Sequence, residues 1–237
     1  MILNNYTHTT LKNAFEYDFN TCVKGIPHYS HYLQSIAKII CDYNMRNNYQ
    51  KINILDIGCG TGNIISYLNN QNYSFNYLGL DINQYLLNFA TQKYSSSQIR
   101  FFKKDALVFL KNSNTEYDIV INSWTFHNWN DKYRIKVLDF LYKKLKLKGL
   151  YIAADKIASN NENTHQVNYK AQMDYVQKVF KDRPDIIEEW ISHYEDDERE
   201  SIKITERAFI NQLSYSGFKD IQLLARDYMD ILLTGAK

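Results

Sequence analysis

The sequence predicts an α/β fold built on a mostly parallel sheet. Short apolar segments rich in β-branched residues alternate along the chain with longer segments of helical periodicity. Such alternation places successive strands in parallel, with helices on both faces of the sheet. Three glycines at alternate positions, Gly58, Gly60 and Gly62, separate the first strand from the next helix, which indicates a tight strand-to-helix turn.

Five strands, separated by helical segments, can be followed through the first part of the chain. The predicted strands span residues 52–57, 75–81, 99–103, 117–122 and 148–154. The predicted helices span residues 28–40, 64–68, 83–94 and 131–146. A further helix at 206–215 is followed by two short apolar segments, 221–224 and 228–233, which bring the predicted strands to seven.

We expect one domain over residues 1–237, with two helical additions. An N-terminal helical cover would occupy about residues 1–50, and a charged helical cap of about 156–200 would be inserted after the fifth strand. The chain contains no repeat or low-complexity linker, and its length suits one domain with a substantial core.

Composition argues against several kinds of partner. The net charge is +2 and charged residues make up 23% of the chain, so the basic field of a nucleic-acid-binding protein is lacking. Cys22, Cys41 and Cys59 have no metal-ligand spacing, so we expect reduced thiols and no metal. Without a recognisable signal peptide or a membrane-spanning apolar run, the chain is expected to be cytoplasmic, with no membrane partner. Association as a homodimer is left open.

The glycine turn is the strongest sign of a ligand site. Strand, turn and helix bring backbone N–H groups and a helix N-terminus up to a ligand, and glycine permits close approach and positive φ. The spacing is G-x-G-x-G, with Asp56 two positions ahead. A dinucleotide site requires G-x-G-x-x-G, so NAD is not expected to bind.

The segment from Leu55 to Gly62, LDIGCGTG, resembles the first motif of class I S-adenosylmethionine methyltransferases almost completely. The resemblance implies a Rossmann-like class I methyltransferase fold in which the last two strands give the sheet an antiparallel ending. It implies S-adenosyl-L-methionine (AdoMet) as cofactor and S-adenosyl-L-homocysteine as product. The methionine carboxylate would face the helix N-terminus, and its ammonium would face backbone carbonyls and Asp56.

Acidic residues follow the second and third strands, at the sheet edge where ligands of parallel sheets bind. By resemblance, Asp81 would bind the ribose hydroxyls and Asp105 the adenine amino group, with the Ala106 N–H on a ring nitrogen. The alternative for either aspartate is a helix N-cap. The residues assigned to the cofactor are Tyr29, Asp56, Gly58, Gly60, Asp81, Ile82, Asp105, Ala106 and Ser123.

Two tryptophans and a histidine follow the fourth strand, where this family lines its methyl-acceptor pocket. His127 is the candidate general base, because a neutral imidazole is available near pH 7; a packing role is equally open. The segment lacks the N/D-P-P-Y/F signature of enzymes that methylate base amino groups or glutamine amides. The candidate pocket residues are Trp124, Trp129, Trp190, His193 and Tyr194.

The last three of these belong to the cap and precede an acidic run, 195–198. An acidic, aromatic cap would suit a cationic acceptor, whereas the simpler interpretation of the run is a solvated helix face.

A second, more diffuse resemblance extends over most of the chain, to the carboxy-AdoMet synthases of tRNA wobble-uridine modification. It is carried by Gly25-Ile26-Pro27-His28-Tyr29, by Gly217-Phe218 and by the final Ala236-Lys237. It implies that Tyr29 covers the cofactor and that an arginine should stand at about Tyr194 to bind the extra carboxylate. No arginine stands there, and the alignment does not place Arg199 at that position.

These observations favour an AdoMet-dependent methyltransferase that acts on a small molecule. The alternatives are an enzyme that remodels AdoMet, as the carboxy-AdoMet synthases do, a tRNA or RNA methyltransferase, and a non-catalytic AdoMet-binding module. The near-neutral charge weakens the RNA alternative.

Overall fold

The computed structural model describes residues 22–48, 50–70 and 74–237. The strands are β1 (Ile52–Ile57), β2 (Phe75–Asp81), β3 (Ile99–Lys103), β4 (Tyr117–Ser123), β5 (Leu145–Lys156), β6 (Lys219–Asp227) and β7 (Asp230–Ala236). The helices are α1 (Tyr29–Arg46), α2 (Ile64–Leu68), α3 (Gln84–Tyr94), α4 (Ala106–Asn112), α5 (Asp131–Lys144), α6 (Glu162–Val179), α7 (Pro184–Asp197) and α8 (Glu206–Ser216). The first 21 residues of the expected N-terminal cover lie outside the described residues.

The seven strands form one sheet in the order β3-β2-β1-β4-β5-β7-β6. The first five are parallel, and β7 pairs antiparallel with both β5 and β6. This confirms the predicted α/β fold with an antiparallel ending. The chain order reverses between β1 and β4, which creates the crevice at the carboxyl ends of the strands where open α/β sheets bind ligands.

A hydrophobic core covers each face of the sheet. Because side chains alternate along a strand, Ile54 of β1 faces one core and Leu55 the other. The first core is closed by α1, α2, α6 and α7, and the second by α4, α5 and α8. The inserted helices α6 and α7 therefore pack in the same layer as α1. No helix of the described residues is both long and apolar enough to cross a membrane.

The structure moves several predicted boundaries. Helix α5 ends at Lys144 and β5 begins at Leu145, whereas the helix was predicted to reach 146 and the strand to start at 148. Leu145 is fully buried and pairs with Tyr117, so the tertiary contact ends the helix early. Strand β7 begins two residues later than predicted, because Tyr228 has a φ of 52° in the turn before it.

The two ends of the cap segment lie next to each other in the structure. The Ala158 N–H donates to the Ile204 carbonyl over 3.0 Å, and the Glu206 N–H donates to the Ala158 carbonyl over 2.9 Å. These bonds join the two ends of the insertion, just beyond β5 and just before α8. The helices α6 and α7 lie between them, where the sequence predicted a helical cap.

Candidate active site

A cavity of about 950 Å³ opens at the carboxyl ends of the central strands. Every residue that the sequence assigned to the cofactor or the acceptor lines it. The cofactor set is Tyr29, Asp56, Gly58, Gly60, Asp81, Ile82, Asp105, Ala106 and Ser123. The acceptor set is Trp124, His127, Trp129, Trp190, His193 and Tyr194. Elements from opposite ends of the chain therefore meet at one site, although the role of each residue stays a prediction.

The glycine turn has the conformation that its sequence requires. Gly58 and Gly60 have φ values of 71° and 51°, in the left-handed region that side chains disfavour. A Cβ on Gly58 would stand 2.1 Å from the Thr125 Oγ1, so the turn and the loop after β4 are packed directly together. A Cβ on Gly60 would meet only Leu86, at 3.9 Å, so the turn is open here to a closely approaching ligand.

Among the buried oxygens of cavity-lining residues that lack a hydrogen-bond partner within the described chain, two belong to the parallel strands β1 and β4. They are the Asp56 Oδ1 and the Ser123 Oγ. The other carboxylate oxygen of Asp56 accepts from the Tyr77 hydroxyl over 2.5 Å. Burial raises the pKa of Asp56 to about 7. The hydrogen bond from Tyr77 lowers this pKa in part, and the negative charge of Asp81 raises it further. Because unpaired buried polar atoms are costly, these two atoms fit a bound polar ligand, and a cation suits Asp56.

Asp81 is fixed by the backbone on both sides of the cavity. Its Oδ2 accepts from the Gly60 N–H over 2.9 Å and its Oδ1 from the Asn83 N–H over 2.8 Å. The N-cap alternative for Asp81 is wrong, because Asn83 caps α3. Burial raises the pKa of Asp81, although the hydrogen bonds from backbone N–H groups lower it in part. Each oxygen keeps a further lone pair for a ligand hydroxyl.

Asp105 does cap a helix. Its Oδ1 accepts from the Val108 N–H over 2.8 Å at the start of α4, and its Oδ2 accepts from the Tyr133 hydroxyl over 2.8 Å. The N-cap alternative is confirmed here, and the adenine role stays a prediction that must use the remaining lone pairs. Nearby, the apolar side chain of Ile82 is 44% exposed towards the same cavity, as a surface for a flat ring would be.

Trp124 is held in an unusual conformation at the end of β4. Its φ of 47° is rare for a bulky residue and indicates local strain. The indole N–H donates to the buried Asp230 carboxylate over 2.8 Å, and the ring lies 4.9 Å from the ring of Tyr29. These contacts fix Trp124 and Tyr29 as an aromatic part of the cavity wall. Trp129 packs against Phe126 at 4.6 Å.

His127 forms a buried pair with Asp155, at 2.5 Å between Nδ1 and Oδ1. Burial alone would raise the pKa of Asp155, but the charge and hydrogen bond of His127, with the Phe126 N–H, hold it below its ordinary value. An ionised Asp155 keeps the proton on Nδ1 and leaves Nε2 as the basic nitrogen. Asp155 is not among the residues predicted from the sequence, although an acid directly after the apolar residues 150–154 of β5 was the available signal.

Lys156, the next residue, was also missed. Its ammonium donates to the His193 Nε2 over 2.8 Å and to the Asp197 carboxylate, and lies 4.1 Å from the centroid of Tyr194. The acidic run is therefore only partly solvated. Asp197 belongs to a buried ion pair, and Glu198 pairs with His165 at 2.8 Å.

Arg199, which the alignment does not place at the carboxylate-binding position, also lines the cavity. Its Nε donates to the Asp196 carbonyl over 3.0 Å and lies 3.6 Å from the carboxylate of the same residue. Nearly half of the side chain is exposed. A guanidinium therefore stands at the rim, five positions after the point where the resemblance placed one.

Comparison with known proteins agrees with this geometry. Residues 54–149, which hold most of β1, the glycine turn and β2 to β4, match a family described as a methyltransferase domain. A carboxy-S-adenosyl-L-methionine synthase of Campylobacter lari is 23% identical over 229 residues, 90% of each chain. A malonyl-[acyl-carrier protein] O-methyltransferase of Acetivibrio thermocellus is 25% identical over 120 residues, 51% of this chain and 42% of that one.

Solved structures share the fold at low sequence identity. The CurJ carbon methyltransferase superposes with a TM-score of 0.66 at 15% identity, over 92% of this chain and 57% of that one. The plantazolicin methyltransferase BamL, solved with SAH, has a TM-score of 0.63 at 17% identity, over 94% of this chain and 88% of that one. This chain thus spans little more than half of CurJ and most of BamL.

Proposed function

We propose that this chain is a class I AdoMet-dependent methyltransferase and that it methylates a small molecule that gives up a proton as it is methylated. The observation that carries the proposal is the His127–Asp155 pair in the cavity wall. A buried carboxylate that fixes the imidazole tautomer is the arrangement of an oriented general base.

The cofactor would lie across the glycine turn. We assign the ammonium of its methionine part to the unpaired Asp56 Oδ1 and the ribose hydroxyls to Asp81. The carboxylate would face the backbone at the start of α2. When bound, AdoMet supplies a methyl group on a positively charged sulfur.

The acceptor would lie between the loop after β4 and the cap. Trp124, Trp190 and Tyr194 form an aromatic enclosure there, which suits a small molecule better than an extended polymer. His127 Nε2 takes the acceptor proton while the acceptor atom bonds the methyl carbon. Asp155 stabilises the imidazolium that forms, and the sulfur of bound AdoMet would keep the electron pair of the broken carbon–sulfur bond.

Incubation with methyl-labelled AdoMet and fractionated cell extract tests the proposal. We expect label in the small-molecule fraction and none in the RNA or protein fractions, with a product one methyl group heavier than its precursor. Label only in RNA would overturn the small-molecule assignment. Measurable AdoMet binding without transfer to any fraction would favour a non-catalytic module.

The affinity for AdoMet should rise as the pH is raised from about 5 to about 7. Asp56, with a pKa of about 7, must lose its proton before it can pair with the cofactor ammonium. One linked proton lowers the affinity about tenfold for each pH unit below that value. Calorimetry across this range should show the slope for the wild type and a nearly flat profile for Asp56→Asn. A flat wild-type profile would remove Asp56 from the ammonium site.

A carboxy-AdoMet synthase-like activity is the second candidate, favoured by the position of Arg199 in the cavity wall. The extra carboxylate would need an unpaired cation at its binding position, yet the Arg199 guanidinium already contacts Asp196. We therefore expect AdoMet to bind about tenfold tighter than its carboxylated form, a difference of about 1.4 kcal/mol. Competition binding with the two ligands, on the wild type and on Arg199→Ala, decides between the methyltransferase and the synthase-like activity. If the wild type prefers the carboxylated form and Arg199→Ala loses that preference, the assignment moves to the synthase.

A further inference from the structure

Four side chains from three parts of the chain meet in the acceptor end of the cavity. Nitrogen or oxygen atoms of His127, His193 and Asp197 lie within 4.8 Å of one another. Two histidines and a carboxylate are a common ligand set for divalent metals, with bonds of about 2 Å, and small side-chain movements would bring these atoms onto one ion. The ammonium of Lys156 contacts two of the three groups, His193 and Asp197.

Burial of the charged Lys156 side chain at this position costs free energy. Only 6% of its side chain is exposed, and its partner Asp197 is 12% exposed. A buried ion pair commonly stabilises a fold no better than apolar residues of the same size, so packing alone does not explain it. Its position in the cavity wall, beside the His127 base, points to a role at the site.

The donor capacity of Lys156 is not exhausted by the protein. An ammonium has three N–H groups, and the described chain provides two hydrogen-bond acceptors, the His193 Nε2 and the Asp197 carboxylate. The face of Tyr194 at 4.1 Å stabilises the charge without accepting a conventional hydrogen bond. One N–H is thus available to an oxygen in the cavity.

We propose that the ammonium of Lys156 occupies the position in which these residues would otherwise bind a divalent metal ion. From there it donates a hydrogen bond to an acceptor oxygen beside His127. The proposal rests on the proposed function and narrows its substrate class to weakly acidic hydroxyl compounds, which are phenols or enols. The acceptor O–H passes its proton to the His127 Nε2, and an oxygen lone pair forms the new bond to the methyl carbon. The carbon–sulfur bond breaks with its electron pair on sulfur.

This arrangement disfavours the cationic acceptor that an acidic cap would suit. Asp197, the most buried acid of the run, is already neutralised by Lys156. An ammonium on the acceptor would meet the Lys156 ammonium first, and like charges repel most strongly where water is excluded. An acceptor oxygen with developing negative charge would instead gain a charge-assisted hydrogen bond.

Metal binding tests the proposal without any methyl acceptor. Lys156→Met keeps an unbranched side chain of similar length but removes the charge, so the cluster should bind Co²⁺ at least a hundredfold more tightly than the wild type. Calorimetry and the visible spectrum of Co²⁺ give the readout, and the double variant Lys156→Met, His193→Ala should lose the gain. Equal Co²⁺ binding by wild type and Lys156→Met, whether tight or absent, would overturn the proposal.

A second variant and a second readout cover the case in which Lys156→Met does not fold. Lys156→Gln, checked by circular dichroism, should show the same gain in Co²⁺ affinity. In either variant the AdoMet affinity should stay within twofold of wild type, while turnover of a hydroxyl acceptor falls at least tenfold. Unchanged turnover would overturn the proposed role of Lys156, whereas a wild type that methylates no small molecule would overturn the proposed function and leave the Co²⁺ result standing.

Discussion

Replacing Asp81 by alanine should abolish AdoMet binding at micromolar concentrations. Two ribose hydrogen bonds to one carboxylate would be lost together, at roughly 1.5–3 kcal/mol each. The affinity should therefore fall between about 100-fold and about 10,000-fold. The loss includes an indirect part, because Asp81 also accepts the Gly60 and Asn83 N–H groups and so holds the glycine turn in shape.

Two controls separate these effects. Asp182→Ala removes an exposed acid outside the cavity and should bind AdoMet like the wild type. The melting temperature of Asp81→Ala without ligand reports the damage to the turn alone. Calorimetry that shows Asp81→Ala within twofold of wild type would remove Asp81 from the cofactor site. NAD should give no saturable heat with any of these proteins.

His127→Ala should lower kcat by about 100-fold to 10,000-fold, the usual contribution of a positioned general base. The AdoMet affinity should be unchanged, because His127 is assigned to the acceptor. Asp155→Asn should cause a comparable loss, since the amide no longer fixes the proton on Nδ1. Because the two residues act as a unit, the double variant should lose little more than either single variant.

His165 provides a matched control for this experiment. It is buried and paired with Glu198 at 2.8 Å, as His127 is paired with Asp155, but it does not line the cavity. His165→Ala should therefore change stability without a specific loss of kcat. If His127→Ala keeps kcat within threefold of wild type, its role is packing, which was the other interpretation of the sequence.

Local sequence patterns were sufficient to predict the sheet and to select the residues, assigned to the cofactor, that line one cavity. The glycine spacing, the apolar strands, the acid at the end of β2 and the acid after β3 are each contained in a short segment, so they can be recognised without tertiary information. The same short segments could not show whether Asp81 or Asp105 caps the helix that follows it. The structure shows that Asn83, and not Asp81, caps α3, and that Asp105 caps α4 through the Val108 N–H.

The acceptor end depended on distant contacts. His127 meets Asp155 from 28 positions away, and Lys156 meets Asp197 from 41 positions away. The local sequence around these residues gives no sign of a site. Asp155 and Lys156 are an acid and a lysine at a strand end, and Asp197 is an aspartate in a charged helix. Their chemistry arises only when β5, the loop after β4 and α7 converge, which a one-dimensional pattern does not encode.

The joined ends of the inserted segment bear on how such an enzyme can diversify. Bonds between Ala158, Ile204 and Glu206 hold entry and exit side by side, so the chain between them returns to its starting point whatever it contains. The residues assigned to AdoMet all precede this segment, whereas three of those assigned to the acceptor lie within it. Exchange of the segment between relatives would thus transplant acceptor preference and leave the donor half of the reaction intact.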